Sequence, residues 1–272
     1  MTHRVTATII LMTAMLMDLM DSTITNVALP AISTDLGATP TQLEWTLVGY
    51  VVAFATLLIT GGRLGDIYGR KRIFLVGVIG FTCASMLASL AWNGNALITA
   101  RIIQGAFAGV MVPQVLSSVQ VMYAPEERGP VFGIIGSLNA LGVITGLLLG
   151  GWLVTANLFG TGWRSIFLIN VPVGVVLTVM AFLCIPESRS EHPLRLDLTG
   201  SALGATAVVL LVLPLTEGRA AGWAWWIWTL LIAAPFAIIA FIWQQHRRAT
   251  GAGAQLLPLP LFRIRSFSSG LL

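Results

Sequence analysis

The sequence predicts an all-α membrane protein that crosses the bilayer several times. Of its 272 residues, 56 % are hydrophobic and only 10 % are charged, whereas soluble domains carry about a quarter charged residues. Apolar runs of roughly 20 residues recur along the chain, which is the length a helix needs to cross a hydrocarbon core about 30 Å thick. The runs are continuous and do not alternate, so helices satisfy the backbone in lipid and a β-barrel is excluded.

Eight membrane-spanning helices are predicted from these runs. The breaks at 30–40, 93–95 and 124–130 carry proline, glycine or asparagine, which are typical of turns. A ninth apolar run begins at Phe267, so we expect a truncated bundle of eight helices and the start of a ninth. The predicted helices cover residues 6–29, 43–62, 73–92, 96–122, 131–154, 165–185, 198–215 and 223–243.

Two polar segments, at 186–197 and 244–266, divide the chain. They follow the sixth and eighth predicted helices, so a six-helix bundle precedes a two-helix unit. The predicted divisions are an N-terminal six-helix bundle at 1–185, a cytoplasmic linker at 186–197, two extra helices at 198–243, and a second linker with the start of a C-terminal half at 244–272.

The basic residues predict the orientation of the chain in the membrane. With the N-terminus in the cytoplasm, every basic residue except Arg101, Arg164 and Arg219 falls on the cytoplasmic side, as the positive-inside rule requires. The net charge of +4 therefore reflects topology and not nucleic-acid binding. The apolar start after Arg4 fits a cleaved signal peptide or an uncleaved first helix, and its extension to Leu29 favours the helix.

The first helix contains two acids, Asp18 and Asp21, among apolar neighbours. A carboxylate at mid-membrane costs about 2.5–3.5 kcal/mol on insertion scales. At roughly 100° per residue, both acids share one helix face with Ser22, Thr25 and Asn26. We expect this face to line the bundle interior or a wet cavity and to form a proton or cation site; the alternative is a polar pair that only packs helices.

Helix four carries Arg101 and Gln104 on one face, because they are three residues apart. Two alternatives are open for Arg101: it snorkels at the outer end of the helix, or it is buried and faces a carboxylate on helix one. Glycines at four-residue spacing on helices four and five permit close helix packing. These are Gly105, Gly109, Gly142, Gly146 and Gly150.

The segment between helices two and three, residues 61–72, is predicted as a short loop with a tight turn. It combines one acid, Asp66, with several basic residues and glycines. An acid at a helix end can bind a neighbouring helix N-terminus or a nearby arginine. One interpretation is a solvated basic anchor, but Asp66 and the glycine spacing indicate more than an anchor. The residues concerned are Gly62, Asp66, Gly69, Arg70 and Arg72.

Three motifs in this chain resemble the major facilitator superfamily. The loop pattern from Gly62 to Arg72 resembles its signature between helices two and three, and Arg101-x-x-Gln104-Gly105 resembles its second motif. The helix-one pattern is similar to that of the fourteen-helix drug:proton antiporters, in which a pair of helices is inserted between two six-helix halves. It comprises Leu19 to Thr23 and Asn26 to Pro30, and further matches are Trp45, Tyr50, Trp163, Arg164 and Asn170 to Pro172.

The resemblance implies export of hydrophobic or cationic drugs or metabolites in exchange for protons, across a bacterial inner membrane. It implies that Asp21 takes up the proton, that Arg101 is its charge partner, and that Asp66 latches the cytoplasmic side. Small lipophilic or cationic substrates, protons and lipid are then the partners, with no nucleic acid, cofactor or metal. One departure is Leu147 after Gly146, where such antiporters usually carry proline; the bend expected there is weakened.

A second function class stays open at this point. Substrate sites in this fold form between two six-helix halves, so the chain is alternatively a non-transporting fragment or a half-transporter that needs a C-terminal partner. An enzyme is not expected. The sequence contains no HExxH motif, no P-loop and no nucleophile elbow, and Cys83 and Cys184 have no metal-binding spacing.

Overall fold

The computed structural model describes residues 2–190, 197–219 and 221–249, and all regular structure within them is helical. Eight segments of this part are long and apolar enough to cross a membrane, which confirms the predicted fold class. Two short 3₁₀ turns precede α6. The helices are α1 Thr2–Leu36, α2 Pro40–Tyr68, α3 Arg70–Ser89, α4 Gly94–Met122, α5 Pro125–Ala156, α6 Ser165–Leu168, α7 Asn170–Cys184, α8 Leu198–Glu217 and α9 Trp225–Ala249.

Side chains cap the starts of α2 and α4 where the turn residues predicted breaks. Thr39 and Gln42 form a capping box: the Gln42 amide donates to Thr39 Oγ1 at 3.3 Å, and the Thr39 amide donates to Gln42 Oε1 at 3.0 Å. At α4, Asn93 Oδ1 accepts from the Ala96 amide at 2.8 Å. These bonds satisfy backbone donors that the first helical turn leaves without partners.

The sequence predicted breaks between helices at two proline positions where the structure is helical, so these two predictions are wrong. α1 continues through Pro30 to Leu36, and α5 begins at Pro125 and contains Pro130. Proline is tolerated in the first turn of a helix, and membrane helices accept it further in when neighbouring groups satisfy the freed carbonyl. Helices α1 and α5 are therefore longer than the apolar runs that predicted them.

The predicted loop at 61–72 is also mostly helical. α2 runs to Tyr68 and α3 begins at Arg70, so Gly69 alone separates them. Gly69 has φ of 107°, a conformation that favours glycine, and a Cβ there would lie 2.5 Å from a Glu187 carboxylate oxygen. Asp66 consequently lies in the last turn of a helix and not in a loop.

Large apolar side chains cover the outside of the spans. Leu148, Trp152 and Phe182 are exposed, as are many similar residues on the other helices. Such a surface suits lipid tails and not water. The chain is a multi-pass membrane protein.

The described helices fall into two compact units, Met1–Ser190 and Glu191–Leu272. In the first unit, α2 packs closely on α4 and α5 packs on α1. Its cores consist mainly of apolar side chains from α1, α3, α4 and α7. The predicted linker residues 191–196 and the predicted ninth run at Phe267 lie outside the described residues, and the predicted domain divisions stay a prediction.

In the second unit, Asp197 ties the start of α8 to the end of α9. Its Oδ1 accepts from the Gly200 amide at 2.8 Å and its Oδ2 accepts from Gln245 Nε2 at 2.8 Å. Gln244 Nε2 and Arg248 Nη1 lie 3.0 and 3.2 Å from Oδ1. Burial by itself would raise the pKa of the Asp197 carboxyl, but these donors and the Arg248 charge outweigh it and lower the pKa below its usual value.

We expect Asp197→Ala to lower the free energy of unfolding by about 1–2 kcal/mol at neutral pH, because it removes a helix cap. A carboxyl whose folded pKa is depressed stabilises above its unfolded pKa of about 4 and loses this effect as pH falls through the folded value. The deficit should therefore shrink below about pH 4 in thermal unfolding of the purified protein. Asp197→Asn keeps a capping oxygen and should lose less; equal deficits at every pH would contradict this role of the charge.

Candidate functional site

Asp21 and Arg101 form an ion pair in the interior of the first unit. Asp21 Oδ2 of α1 lies 2.5 Å from Arg101 Nη1 of α4, and each side chain is only 1 % exposed. Arg101 Nε also donates to the Thr46 carbonyl oxygen of α2 at 3.3 Å. Because Arg101 is buried, it does not snorkel to the membrane surface, which was one of the two alternatives for this residue. Burying two charges costs several kcal/mol each, so the pair needs further hydrogen bonds to offset that cost.

Polar side chains from three helices supply those bonds. Asp21 Oδ1 accepts from Gln104 Nε2 at 2.9 Å and from Asn170 Nδ2 at 2.6 Å. Arg101 Nη1 donates to Gln104 Oε1 at 2.7 Å. Ser85 Oγ accepts from Asn170 Nδ2 at 2.9 Å. These five residues, Asp21, Ser85, Arg101, Gln104 and Asn170, are all buried and are called the charge cluster below.

Tyr50 on α2 links the second acid, Asp18, to the charge cluster. Its hydroxyl donates a hydrogen bond to Asp18 Oδ1. Its ring lies against the Arg101 guanidinium, whose carbon is 4.2 Å from the ring centroid. A cation held over an aromatic face is attracted to it, more strongly when both are desolvated. Tyr50 thus contacts Asp18 through its hydroxyl and Arg101 through its ring.

The predicted polar face of α1 is only partly buried. Asp18, Asp21 and Thr25 are buried, and Thr25 Oγ1 donates to the Asp21 carbonyl oxygen at 2.7 Å. Ser22 is half-buried and Asn26 is exposed, and Asn26 Nδ2 donates to the Ser22 carbonyl oxygen at 3.0 Å. The predicted polar face of α1 therefore has a buried part, which contains both acids, and an exposed edge at Asn26.

Glycines bring α2 and α4 close enough to place Tyr50 against Arg101. A Cβ on Gly105 would lie 2.9 Å from the Tyr50 Cα and closer still to its carbonyl oxygen, and one on Gly109 would lie 2.5 Å from the Phe54 carbonyl oxygen. The glycines of α5 face α1 in the same way, although a Cβ added to any of them would lie farther from the nearest α1 atom. Gly142 faces Leu16 and Leu19, Gly146 faces Met20 and Thr23, and Gly150 faces Ile24 and Val27.

We expect Gly105→Ala to destabilise the protein by about 1–3 kcal/mol, because a rigid backbone contact cannot yield without separating α2 from α4. Gly151→Ala is the matched control, since a Cβ there meets nothing within 4 Å. It should be neutral or slightly stabilising, as alanine is the better helix former. Thermal unfolding of both variants in detergent gives the comparison. Equal stability of the two variants would contradict the close α2–α4 contact.

At the junction of α2 and α3, Asp66 pairs with Arg70 across the break at Gly69, with 2.7 Å between Oδ1 and Nη2. The chain that follows α7 crosses this junction. The Arg70 amide donates to the Ser188 carbonyl oxygen at 2.9 Å, and the Ser190 amide donates to the Asp66 carbonyl oxygen at 3.3 Å. Asp66, the acid of the predicted gating segment, thus lies where the end of α2, the start of α3 and the segment after α7 meet.

Glu187 binds the basic start of α3 from this crossing segment. Its Oε1 accepts from the Lys71 amide at 3.2 Å, and its Oε2 lies 3.6 Å from Arg72 Nε. A Cβ added to Gly62, the first residue of the loop pattern, would lie 3.6 Å from Pro113 Cβ of α4, an ordinary van der Waals distance. The residues that the pattern singled out are therefore spread over a helix end, a junction and a helix start.

An apolar cavity of about 200 Å³ lies beside the charge cluster. Met17, Met20 and Ile24 of α1 line it together with Asn170 and Val173 of α7. Asn170 is shared, because its amide also donates to Asp21. Cavities for drug-sized ligands usually measure about 300–1,000 Å³, so this one suits a substituent of a ligand and not a whole molecule.

Three residues of the site were not predicted from the sequence as site residues: Ser85, Tyr50 and Asn170. Tyr50 and Asn170 entered only as part of a family pattern, and their contacts to Asp18 and Asp21 span long sequence separations. One signal was present: each is a polar residue inside a strongly apolar run. Such residues are costly in lipid and face the interior of a bundle.

Comparison with known proteins gives related transporters and resistance proteins. The probable actinorhodin transporter of Streptomyces coelicolor is 43 % identical over 262 residues, which cover 96 % of this chain and 45 % of that protein. The tetracenomycin C resistance and export protein of Streptomyces glaucescens is 35 % identical over 254 residues, covering 92 % and 46 %. The methylenomycin A resistance protein of Bacillus subtilis is 33 % identical over 262 residues, covering 96 % and 54 %.

The chain spans about half the length of the curated relatives it matches. Among solved structures, the peptide transporter POT in complex with sulfate is similar, with a TM-score of 0.59 at 18 % identity; the match covers 87 % of this chain and 51 % of that one. At this identity the likeness shows the fold alone. The profile of the Major Facilitator Superfamily matches residues 11–201, and the chain belongs to that superfamily.

Proposed function

We propose that this chain is part of a proton-coupled exporter of hydrophobic or cationic drugs or metabolites, of the antiporter type and of the fourteen-helix branch. The observation that carries the proposal is the buried ion pair of Asp21 and Arg101 inside a bundle of membrane helices. Ionisable residues at such depth are expensive and usually serve an ion or substrate pathway. Relatives named for export of or resistance to antibiotics support the export direction.

The charge cluster and Asp18 are the proposed coupling site. Proton uptake at this site changes the charge of the bundle interior, which favours one arrangement of the helices over another. A ligand shifts such an equilibrium only through its different affinity for the two arrangements. A cationic substrate that competes with the proton for the same negative charge provides that difference. Apolar contacts, such as those in the cavity between α1 and α7, would bind the lipophilic part of the substrate.

The proposed domain roles follow the predicted divisions. Residues 1–185 form the N-terminal six-helix half, and residues 198–243 form the pair of helices inserted before the C-terminal half. Because substrate sites of this fold lie between two halves, we propose that transport also needs the further length that the relatives carry. An isolated half that needs a separate C-terminal partner is the alternative, and it predicts no transport by this chain alone.

We further propose that the N-terminus is cytoplasmic and that Asp66 acts at the cytoplasmic face of a bacterial inner membrane. Cysteines introduced at Thr41 and Gly160 should then react with a membrane-impermeant thiol reagent from outside intact cells. A cysteine at Ser190 should react only after the cells are opened. Labelling of Ser190→Cys in intact cells would reverse the proposed orientation.

The export proposal is tested in cells that express the full reading frame containing this chain. We expect lower accumulation of lipophilic antibiotics and dyes, and the difference should vanish when the proton gradient is collapsed. A panel of neutral, cationic and anionic compounds of similar size defines the substrate class. Accumulation that equals that of cells without the protein for every compound would contradict an exporter of this class.

A further inference from the structure

The two acids of α1 differ sharply in their surroundings. The Asp21 carboxylate accepts hydrogen bonds from Arg101, Gln104 and Asn170. Among the described residues, Asp18 accepts one side-chain hydrogen bond, from Tyr50. Asp18 also remains 8 % exposed, against 1 % for Asp21. Both acids are buried, but Asp21 is surrounded by donors whereas Asp18 accepts from Tyr50 alone among the described side chains.

These surroundings suit the two acids to different tasks. A carboxylate that accepts several donors, one of them a guanidinium, is strongly stabilised in its charged form. Protonating Asp21 would break the ion pair and leave Arg101 as a buried charge without its counter-ion, which is strongly unfavourable. Within the described part of the chain, no arginine forms a hydrogen bond with Asp18, so its neutral form leaves no cation stranded beside it.

We propose that the Asp18 carboxyl, held by the Tyr50 hydroxyl, is the site where the coupled proton binds, and that Asp21 is the fixed counter-ion of Arg101. This inference deepens the proposed function and rests on it. It departs from the role that the family resemblance implies, in which Asp21 takes up the proton.

The proton step needs only Asp18, Tyr50 and water. A proton from solution binds one oxygen of the Asp18 carboxylate and gives the neutral acid, which has one O–H donor. The bond from the Tyr50 hydroxyl then joins two neutral groups and loses the strength that a charged acceptor gives it. The Tyr50 ring lies 4.2 Å from the Arg101 guanidinium carbon. A shift of Tyr50 therefore changes the contact that positions Arg101, and this is the proposed path from the proton site to the charge cluster.

Three ionisable groups in the described part of the chain act on Asp18. They are Asp21 on the same helix, Tyr50 on α2 and Arg101 on α4. The other elements packed against α1 are α5, α6, α7 and the 3₁₀ turn Gly162–Arg164, whose Arg164 pairs with Asp35 near the C-terminal end of α1. α5 carries its ionisable residues in its first turn, α7 has only Cys184 at its end, and α6 has none. Among the described residues, the proposed proton-sensing group therefore consists of Asp18, Tyr50, Arg101 and Asp21.

Infrared difference spectroscopy of the purified protein during a pH titration tests this assignment directly. The carbonyl stretching band of a neutral carboxyl should grow as pH falls. We expect Asp18→Asn to lose one such band that Asp18→Glu keeps at a shifted position. Asp21→Asn/Arg101→Met, which removes both charges of the ion pair, should retain it. Tyr50→Phe should keep the band with an altered titration midpoint.

A band that survives in Asp18→Asn and disappears in the double variant would overturn the assignment, and an unmoved midpoint in Tyr50→Phe would overturn the role of Tyr50. If Asp18→Asn does not fold, Asp18→Glu replaces it, and a band at the unshifted position in that variant overturns the assignment. The readout does not depend on transport. Loss of export with the Asp18 band intact therefore contradicts only the proposed function, whereas export without an Asp18 band contradicts only this inference.

Discussion

Replacing Arg101 with methionine should lower the free energy of unfolding by about 3–5 kcal/mol, because it leaves the Asp21 carboxylate buried without its counter-ion. Methionine fills much of the same volume, so the loss reports the charge more than a cavity. Chemical unfolding of the purified protein in detergent, followed by helical circular dichroism, measures the change. The loss should exceed that from Gly105→Ala or Asp197→Ala.

Two variants distinguish this charge effect from general damage. Asp21→Asn/Arg101→Met removes both charges and should recover much of the lost stability, since removing a whole buried pair is often neutral. Arg72→Met is the surface control: its side chain is 68 % exposed and lies 3.6 Å from Glu187, and exposed pairs contribute about 0–1 kcal/mol. A double variant no more stable than Arg101→Met would contradict the stabilising role of the ion pair.

Asp66→Asn should reduce export by roughly tenfold or more in the complete transporter, within the range of typical coupling energies. The substitution removes the charge that holds Arg70 at the single-residue break between α2 and α3. Membrane insertion should be unchanged, because one charge at a helix end adds little to the hydrophobic driving force. Efflux rates must be compared at matched expression in the membrane.

Glu187→Gln is the informative partner variant for Asp66. It leaves the Asp66–Arg70 pair in place and weakens only the attachment of the segment after α7 to the start of α3. We expect a smaller loss of export from it than from Asp66→Asn. Wild-type export by a normally expressed Asp66→Asn protein would refute a gating role and favour the basic-anchor interpretation.

The sequence predicted the part of the fold that lipid dictates. Long apolar runs allow only helices, so the number and approximate place of the spans followed from composition alone. The helix ends could not be predicted in this way. A proline that usually ends a helix in a soluble protein can lie inside a helix of a membrane bundle. Pro30 lies inside α1, and residues 61–68 extend α2 to within one residue of α3.

The sequence predicted a site residue only where placing that side chain in lipid would cost much free energy. Asp18, Asp21 and Arg101 lie in apolar helices, where ionisable side chains are costly enough to need polar partners, and this cost singled out all three. The cost of burial alone does not determine which of the two acids pairs with Arg101. That pairing depends on the registry of α1, α2, α4 and α7, which places the hydroxyl of Tyr50 on Asp18 and the amide of Asn170 on Asp21.

The claim that an imposed proton gradient drives export is tested most directly in inside-out vesicles that contain the complete protein. With the vesicle interior made acidic and no nucleotide present, we expect uptake of a lipophilic cation and release of protons from the vesicle as substrate enters. Both signals should disappear with a protonophore and in Asp18→Asn. Substrate uptake that continues after the gradient has collapsed would contradict proton-coupled export by this protein.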